Sequence, residues 1–250
     1  MSSTGAIEIK TPGNPEGLQD IPFKLPRVMP KSRLRALEIY AALEARYPDA
    51  HCELNYSNPH ELLVATILSA QATDEGVNKA TPALFKAFPK PKDYAQVTPT
   101  TIEPFIRTIG LFRNKAKSVH AAMTAVANEF GGEIPRTMDE LLSLRGVARK
   151  TANVVLGNAY GINMGVVVDT HVDRIAKRFG LVPKDASVTM VERRLMALFD
   201  RDCWCMLSHL LIFHGRRACK ARGALCDQDE ICLKYCSNAK GTLRQKVHKA

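Results

Sequence analysis

Two residues in the middle of the chain, Lys150 and Asp169, have the types and the context that covalent chemistry requires. Lys150 falls in the first turn of a predicted helix, where the helix macrodipole and the adjacent Arg149 disfavour a protonated amine. A neutral amine can attack a carbonyl-level carbon and form a Schiff base. Asp169 follows an apolar run and opens another helix, where a carboxylate can take up a proton or stabilise a cation. A solvated lysine and a capping aspartate are the structural alternatives.

The segment before Lys150 predicts a binding site for phosphate. Gly146 permits a tight turn, and Ala148 and Arg149 lead from that turn into the helix. The backbone N–H groups of such a turn and of a helix N-terminus point outward and bind anions. A phosphate held there fixes the position of a nucleic acid without reading its bases. An ordinary connection between two helices is the alternative.

Near the C-terminus, four cysteines fall within eighteen residues, separated by six, five and three residues: Cys219, Cys226, Cys232 and Cys236. In a reducing compartment such crowding indicates a metal site rather than disulfides. Four thiolates can bind zinc or a [4Fe–4S] cluster. The loop between the first two cysteines carries Lys220 and Arg222, which would form a basic surface beside a nucleic acid backbone. Core thiols are expected at the remaining cysteines, Cys52, Cys203 and Cys205.

The elements that must position these residues are helices. Capping residues followed by apolar residues at helical spacing predict helix starts at Asn58, Thr73, Thr100, Thr137 and Thr189. The Glu three residues beyond the last of these, Glu192, completes a capping pair. Helical periodicity also covers residues 31–47, 114–130 and 202–214. Alternating runs joined by hairpin turns are absent, so the sequence predicts an all-α fold.

Composition and charge limit the class of protein. The 250 residues are 46% hydrophobic and 24% charged, which is typical of a globular protein. The 35 Lys and Arg against 25 Asp and Glu give a net charge of +10, which favours a polyanionic partner because each neutralised phosphate releases a counterion. A basic surface without such a role is the alternative. The sequence has neither an apolar run of about 20 residues nor a secretory signal, so we expect a soluble, intracellular protein.

The central motifs carry a resemblance to a known family. Residues 144–155 read LRGVARKTANVV and residues 168–174 read VDTHVDR, and together they resemble the endonuclease III family of DNA glycosylases in the helix-hairpin-helix superfamily. Further matching segments are residues 53–55, 61–63, 69–74, 77–81, 108–111, 114–116 and 214–216. The resemblance covers the chain from about Lys31 to Cys236.

The resemblance implies a role for each matching residue. Lys150 takes the position of the family's nucleophile, which attacks C1′ of a deoxyribose, and Asp169 that of its catalytic carboxylate. Gln71 matches the residue that enters the space left by a flipped nucleotide, and Leu111 matches the wedge opposite it. Flipping is needed because C1′ is inaccessible inside the base stack, and a wedge offsets part of the lost stacking.

The chain departs from the family pattern in two places. The family usually has Leu-Pro-Gly-Val-Gly where this chain has Leu-Arg-Gly-Val-Ala, and Ala148 would cost about 1 kcal/mol if its position requires a positive φ. The family's cysteine spacing is C-x6-C-x2-C-x5-C, and Asp229 stands here in place of the third cysteine. The resemblance nevertheless implies a [4Fe–4S] cluster, with its last two ligands shifted to Cys232 and Cys236.

The resemblance also implies an architecture and an activity. We expect a helical barrel domain over residues 52–163 and a cluster domain over 31–51 and 164–236, which flank a DNA-binding cleft, with a disordered arm at 1–30 and a basic tail at 237–250. The implied enzyme is a monomer of the bacterial cytoplasm that removes oxidised pyrimidines from duplex DNA and nicks the strand by β-elimination. The alternatives are a monofunctional glycosylase, a non-catalytic DNA-binding module and a cluster-based redox carrier.

Overall fold

The computed structural model describes residues 21–224 and 226–236, and within these ranges every regular element is a helix. The α-helices are α1 (Pro30–Arg46), α2 (Pro59–Leu68), α3 (Asp74–Ala87), α4 (Pro91–Ala95), α5 (Pro99–Ile102), α6 (Phe112–Glu129), α7 (Met138–Ser143), α8 (Arg149–Tyr160), α9 (Thr170–Arg178), α10 (Val188–Leu198), α11 (Trp204–Arg217) and α12 (Glu230–Tyr235). The all-α prediction is confirmed. The basic tail predicted from residue 237 and the first 20 residues of the predicted arm lie outside the described residues.

Side-chain caps start several helices where the sequence predicts them. The Asn58 side chain accepts a hydrogen bond from the Glu61 N–H at 3.0 Å, and Thr73 accepts one from the Gly76 N–H at 3.1 Å. Thr137 caps α7 in the same way. These bonds satisfy backbone donors that the first helical turn leaves without partners, so local sequence chemistry sets these boundaries.

Two predicted helix starts are wrong. The helix predicted from Thr100 begins at Pro99, because proline fixes the backbone angle that a first helical residue needs. The helix predicted from Thr189 is capped instead by Ser187, whose side chain accepts a hydrogen bond from the Met190 N–H at 3.3 Å. Glu192 is therefore not a capping residue, and its side chain is free to bond elsewhere.

The buried side chains form two hydrophobic cores. One core draws on residues 36–50 together with residues 166–236, so α1 packs with α9 to α12. The other core lies within residues 54–164 and contains α2 to α8. Helix α8, which carries Lys150, belongs to the core of residues 54–164, whereas α9, which Asp169 precedes, belongs to the other core. Contacts between α8 and α11 join the two.

Part of the predicted disordered arm is packed. The side chains of Ile21, Phe23, Leu25 and Val28 are partly buried against the core that contains α1. The Arg194 guanidinium also donates a hydrogen bond to the Arg27 carbonyl at 2.9 Å. Ile21, Phe23 and Leu25 alternate along the chain, and helical periodicity does not predict a contact of this kind. Among the described residues, no helix combines the length and hydropathy of a membrane span.

Candidate active site

Lys150 lies in the first turn of α8, on the face that lines a cleft. Val154 and Asn158 follow it at helical spacing and line the same cavity. This regular spacing results from the helical repeat, because residues four apart lie on one face. The lysine side chain is exposed to the cleft. The helix therefore places the Lys150 amine at the cleft entrance, with the uncharged side chains of Val154 and Asn158 behind it.

The turn before Lys150 depends on Gly146. Its φ of +84° lies in the left-handed region, and a Cβ added there would lie 2.8 Å from the Cβ of Ser118. The Val147 N–H closes the turn by bonding to the Leu144 carbonyl at 3.1 Å. Ala148 has a φ of −95° and is the N-cap of α8. Since this backbone is extended, alanine carries no conformational cost at this position.

Asp169 is the N-cap of α9. Its Oδ1 accepts hydrogen bonds from the N–H groups of His171 and Val172, both at 2.8 Å. The apolar residues before it are held in place, since the Val167 N–H bonds to the Ser208 hydroxyl of α11 at 3.0 Å. Both capping bonds use Oδ1, which leaves Oδ2 outside the cap. The capping and catalytic interpretations of Asp169 are therefore compatible.

Lys150, Asp169 and Gln71 line a common cleft of about 910 Å³. Asp74, Glu53 and Glu75 also line the cleft, and sequence reasoning missed Asp74 as a site residue. Asp74 pairs with Arg216 at 2.7 Å. Burial, and after it the charge of Asp169, raises the pKa of Asp74, while Lys150 opposes this shift. The only sequence signal was the match of residues 69–74 to the family, since Asp74 is otherwise an ordinary acidic residue in the first turn of a helix.

Behind Lys150 and Asp169 the cleft deepens into a pocket of about 110 Å³. His209 and Asn158 line it and hydrogen-bond to each other, with the His209 Nε2 and Asn158 Oδ1 2.8 Å apart. Burial lowers the pKa of His209 to about 4 and raises that of Cys205 to about 11. This wall is therefore uncharged at neutral pH. Cys52 and Cys205, predicted as core thiols, are only partly buried and line the pocket.

Gln71 and Leu111 share an unusual backbone conformation. They are the only non-glycine residues with positive φ in the described part of the chain, at 55° and 58°. Leu111 is 60% exposed although it is apolar. Strained, exposed residues of this kind persist where the surrounding structure requires them, and they cluster at functional sites. Leu111 does not line the cleft around Lys150, whereas Gln71 does.

The Arg149 side chain bonds to other parts of the protein and is not presented at the turn. Its Nε donates a hydrogen bond to Glu192 Oε1 at 2.9 Å, and its Nη2 donates one to the Met164 carbonyl at 2.9 Å. The guanidinium also lies over the Phe23 ring, 4.9 Å from its centroid. Only 26% of the side chain is exposed. The prediction of phosphate binding at this turn therefore depends on the backbone N–H groups of Gly146 and Ala148 and not on the Arg149 side chain.

The four C-terminal cysteines are buried, form no disulfide and converge. The Sγ atoms of Cys219 and Cys226 are 3.8 Å apart, and those of Cys219, Cys226 and Cys236 all lie within 4.8 Å of one another. His214 Nε2 lies 3.3 Å from Cys232 Sγ, and Arg178 donates a hydrogen bond to Cys219 Sγ at 3.0 Å. Buried thiols with cationic and N–H neighbours fit a thiolate-bound metal group.

The loop between Cys219 and Cys226 presents Lys220 and Arg222 to solvent. Neither side chain lines the cleft that contains Lys150 and Asp169. The loop is held to α9, because Arg178 donates a hydrogen bond to the Lys220 carbonyl at 3.0 Å. The predicted basic surface therefore exists as an exposed loop apart from the cleft.

Comparisons with known proteins agree with this geometry. Residues 64–201 match the family model described as HhH-GPD superfamily base excision DNA repair protein. The chain is 49% identical to endonuclease III of Synechocystis sp. over 205 residues, which is 82% of this chain and 93% of the relative. It is 46% identical to endonuclease III of Bacillus subtilis over 180 residues, 72% of this chain and 82% of the relative.

A solved structure shows the same fold. It is that of a trapped endonuclease III–DNA covalent intermediate, with a TM-score of 0.80, 42% sequence identity, and coverage of 85% of this chain and 99% of the other. The helices, the turn at Gly146 and the cleft are thus found in a chain that matches this family along most of its length. The protein belongs to the endonuclease III family of the HhH-GPD superfamily and is a base-excision DNA glycosylase and AP lyase.

Proposed function

We propose that this enzyme removes oxidised pyrimidines from duplex DNA and nicks the strand through a Schiff base on Lys150. The observation that carries the proposal is that the Lys150 amine and the Asp169 carboxylate line one cleft, which Gln71 also borders. The related endonuclease III was captured as a covalent intermediate with DNA, which supports an amine nucleophile in this family. The wall of the pocket formed by His209 and Cys205, which is uncharged at neutral pH, suits a flipped, neutral base.

In the proposed reaction, Lys150 Nζ attacks C1′ of the damaged nucleotide as the bond from C1′ to the base breaks. The departing base takes up a proton, and the lysine nitrogen loses one as the sugar ring opens to the Schiff base. Loss of a C2′ proton then expels the 3′ phosphate by β-elimination, and water hydrolyses the Schiff base to free Lys150. Asp169 accepts the lysine proton or stabilises the developing sugar cation.

The proposed grip on DNA uses backbone and wedge residues. The turn at Gly146 and Ala148 binds a phosphate through its N–H groups, and the net charge of +10 favours the duplex. Gln71 and Leu111 take the space vacated by the flipped nucleotide, and Lys220 and Arg222 lie against the backbone. We assign residues 52–163 to the barrel domain and residues 31–51 with 164–236 to the cluster domain. We infer a monomer of the bacterial cytoplasm.

We propose that Cys219, Cys226, Cys232 and Cys236 hold a [4Fe–4S] cluster. Their burial and convergence support a four-thiolate site, and the membership of the family supports iron and sulfide over zinc. The cluster supplies a rigid covalent closure of the cysteine loop rather than chemistry at the cleft. A bound cluster would hold Lys220 and Arg222 in place, because both lie in the loop between Cys219 and Cys226.

Borohydride trapping tests the proposed nucleophile. Duplex DNA that contains thymine glycol is incubated with wild type, Lys150→Ala and Lys79→Ala, and the reduced adducts are counted. Lys79 is the matched control, since it lines the same cleft but pairs with Glu75 at 2.7 Å. We expect Lys150→Ala to lose the adduct by at least about 10²-fold, and Lys79→Ala to retain it. Base release by wild type without any adduct would mean that water is the nucleophile.

A further inference from the structure

Glu192 forms a buried polar cluster with two residues of α8. Glu192 is only 9% exposed, and its Oε1 accepts hydrogen bonds from Arg149 Nε at 2.9 Å and from Asn153 Nδ2 at 3.1 Å. A buried carboxylate is costly unless charges and hydrogen bonds compensate it. Here one guanidinium and one amide do so. We call Glu192, Arg149 and Asn153 the clamp.

The clamp acts on a different face of α8 from the cleft, about 100° away around the helix axis. Arg149 and Asn153 are four residues apart and share one face of the helix, while Lys150, Val154 and Asn158 share the face that lines the pocket. Rotation of α8 about its axis would move both faces together. The contact of Arg149 and Asn153 with Glu192 therefore fixes the direction in which Lys150 points.

The clamp also contacts the segment that leads to Asp169. Arg149 Nη2 donates a hydrogen bond to the Met164 carbonyl at 2.9 Å. The next residue is Gly165, where an added Cβ would lie 2.2 Å from Glu192 Oε1 and 2.6 Å from Asn153 Nδ2. Only a glycine permits this approach. The chain then runs four residues to Asp169, so the clamp contacts the segments that carry both reacting groups.

The clamp also joins the two hydrophobic cores. Glu192 lies in α10, which packs in the core that contains α1, whereas Arg149 and Asn153 lie in α8 of the other core. Phe23 covers the outer side, with the Arg149 and Arg193 guanidinium carbons 4.9 Å and 4.4 Å from its ring centroid. Among the described residues, the only ion pair between α8 and the core that contains α1 thus involves the residue next to Lys150.

We propose that Glu192 is a positioning residue, which acts through Arg149 to hold Lys150 at the distance and angle from Asp169 that covalent attack requires. The inference rests on the proposed role of Lys150 as the nucleophile. When a nucleophile is displaced by about 1 Å from its reactive position, the rate of attack falls by about 10²-fold. Binding of DNA uses other groups, so the clamp should affect the covalent step and not the affinity.

The test compares Glu192→Gln and Arg149→Gln with wild type in two measurements. The first is the single-turnover rate of adduct trapping on thymine glycol duplex, and the second is the affinity for a duplex with a non-cleavable abasic analogue. We expect each variant to lower the rate by about 10- to 100-fold with an affinity within twofold of wild type. The double variant should be no slower than the slower single variant, because the two residues act as a unit.

Asp200→Asn is the control for the loss of a partly buried ion pair elsewhere in the fold. Asp200 pairs with Arg33, and neither residue lines the cleft. This variant should melt at a lower temperature and keep the wild-type rate. A rate within twofold of wild type in both clamp variants would overturn the proposal, as would a loss of affinity that accounts for the slower reaction. Failure of the Lys150 role would instead appear as adducts formed by Lys150→Ala.

Discussion

At the scale of single residues, Gly146 determines the shape of the turn that precedes Lys150. Its positive φ and the 2.8 Å separation between an added Cβ and Ser118 leave no room for a side chain. Ala148, two residues later, has an extended backbone that any residue adopts. This chain differs from the usual family turn at residues 145 and 148. Neither is Gly146, the one position of the turn at which glycine is required.

Gly146→Ala tests this requirement. We expect the free energy of unfolding to fall by about 1–3 kcal/mol, because a left-handed backbone strains alanine and the Cβ displaces Ser118. The melting temperature should fall by about 2–4 °C for each kcal/mol lost, and the affinity for abasic duplex should also fall. Ala148→Gly is the matched control and should change the stability by less than about 0.5 kcal/mol. An unchanged Gly146→Ala protein would show that the turn adapts.

The positions of Lys150 and Asp169 at helix starts could be predicted from residue type and local context, and the side-chain partners of their neighbours could not. Arg149 has the same charge and helical position that suggest a phosphate ligand, but its partner Glu192 lies 43 residues later in the chain. Asp74 has the signature of a common first-turn acid. What distinguishes these residues is the direction of a side chain and a distant partner, which local sequence does not encode.

At the scale of elements, capping chemistry explains the helix starts that were predicted correctly. Asn58, Thr73 and Thr137 each bond to the first turn of the helix they precede. Helix α6 starts differently, since its N-cap, Leu111, is left-handed and has no side-chain cap. An apolar, 60% exposed residue in that conformation stabilises neither the helix nor the core. Its presence is explained by the proposed insertion into DNA.

Leu111→Gly should therefore separate stability from activity. Glycine adopts a positive φ without strain, so we expect the free energy of unfolding to stay level or rise by about 1 kcal/mol. Base excision from duplex DNA should fall by about tenfold, because the wedge that offsets lost stacking is gone. Thermal melting and single-turnover excision measure the two effects.

Leu142→Gly is the control, since Leu142 is 42% exposed in the regular helix α7. Glycine in a helix costs about 1 kcal/mol, so this variant should be less stable and fully active, the opposite of Leu111→Gly on both measurements. Full excision activity in Leu111→Gly would remove Leu111 from the proposed DNA contacts.

At the scale of the whole molecule, the cysteine site and the cleft are joined through α9. Asp169 caps the start of this helix, while Arg174 in its middle donates a hydrogen bond to the Cys219 carbonyl and Arg178 at its end donates one to the Cys219 Sγ. A metal group that holds Cys219 therefore also fixes the far end of the helix that Asp169 precedes. The helical class was readable from periodicity, whereas this link required the three-dimensional packing of segments about 45 residues apart.

Metal content tests the proposed cluster. Purified protein should contain about four iron and four sulfide ions per chain, with the visible absorbance of an iron–sulfur protein. Cys236→Ser should lower both the iron content and the melting temperature, and Cys203→Ser should change neither, because Cys203 lies outside the cysteine site. One zinc ion per chain would contradict the [4Fe–4S] assignment and match a single tetrahedral site.

The division of the core between the two ends of the chain has a consequence for synthesis on the ribosome. The core within residues 54–164 is continuous in sequence, so it can form as soon as that stretch has emerged. Helix α1 emerges earlier but must wait for its partners after residue 166. In a nascent chain, the core that carries Lys150 can thus be folded before the segment with Asp169 has packed beside it. A chain cut short at that stage lacks Asp169 and therefore cannot carry out the proposed reaction.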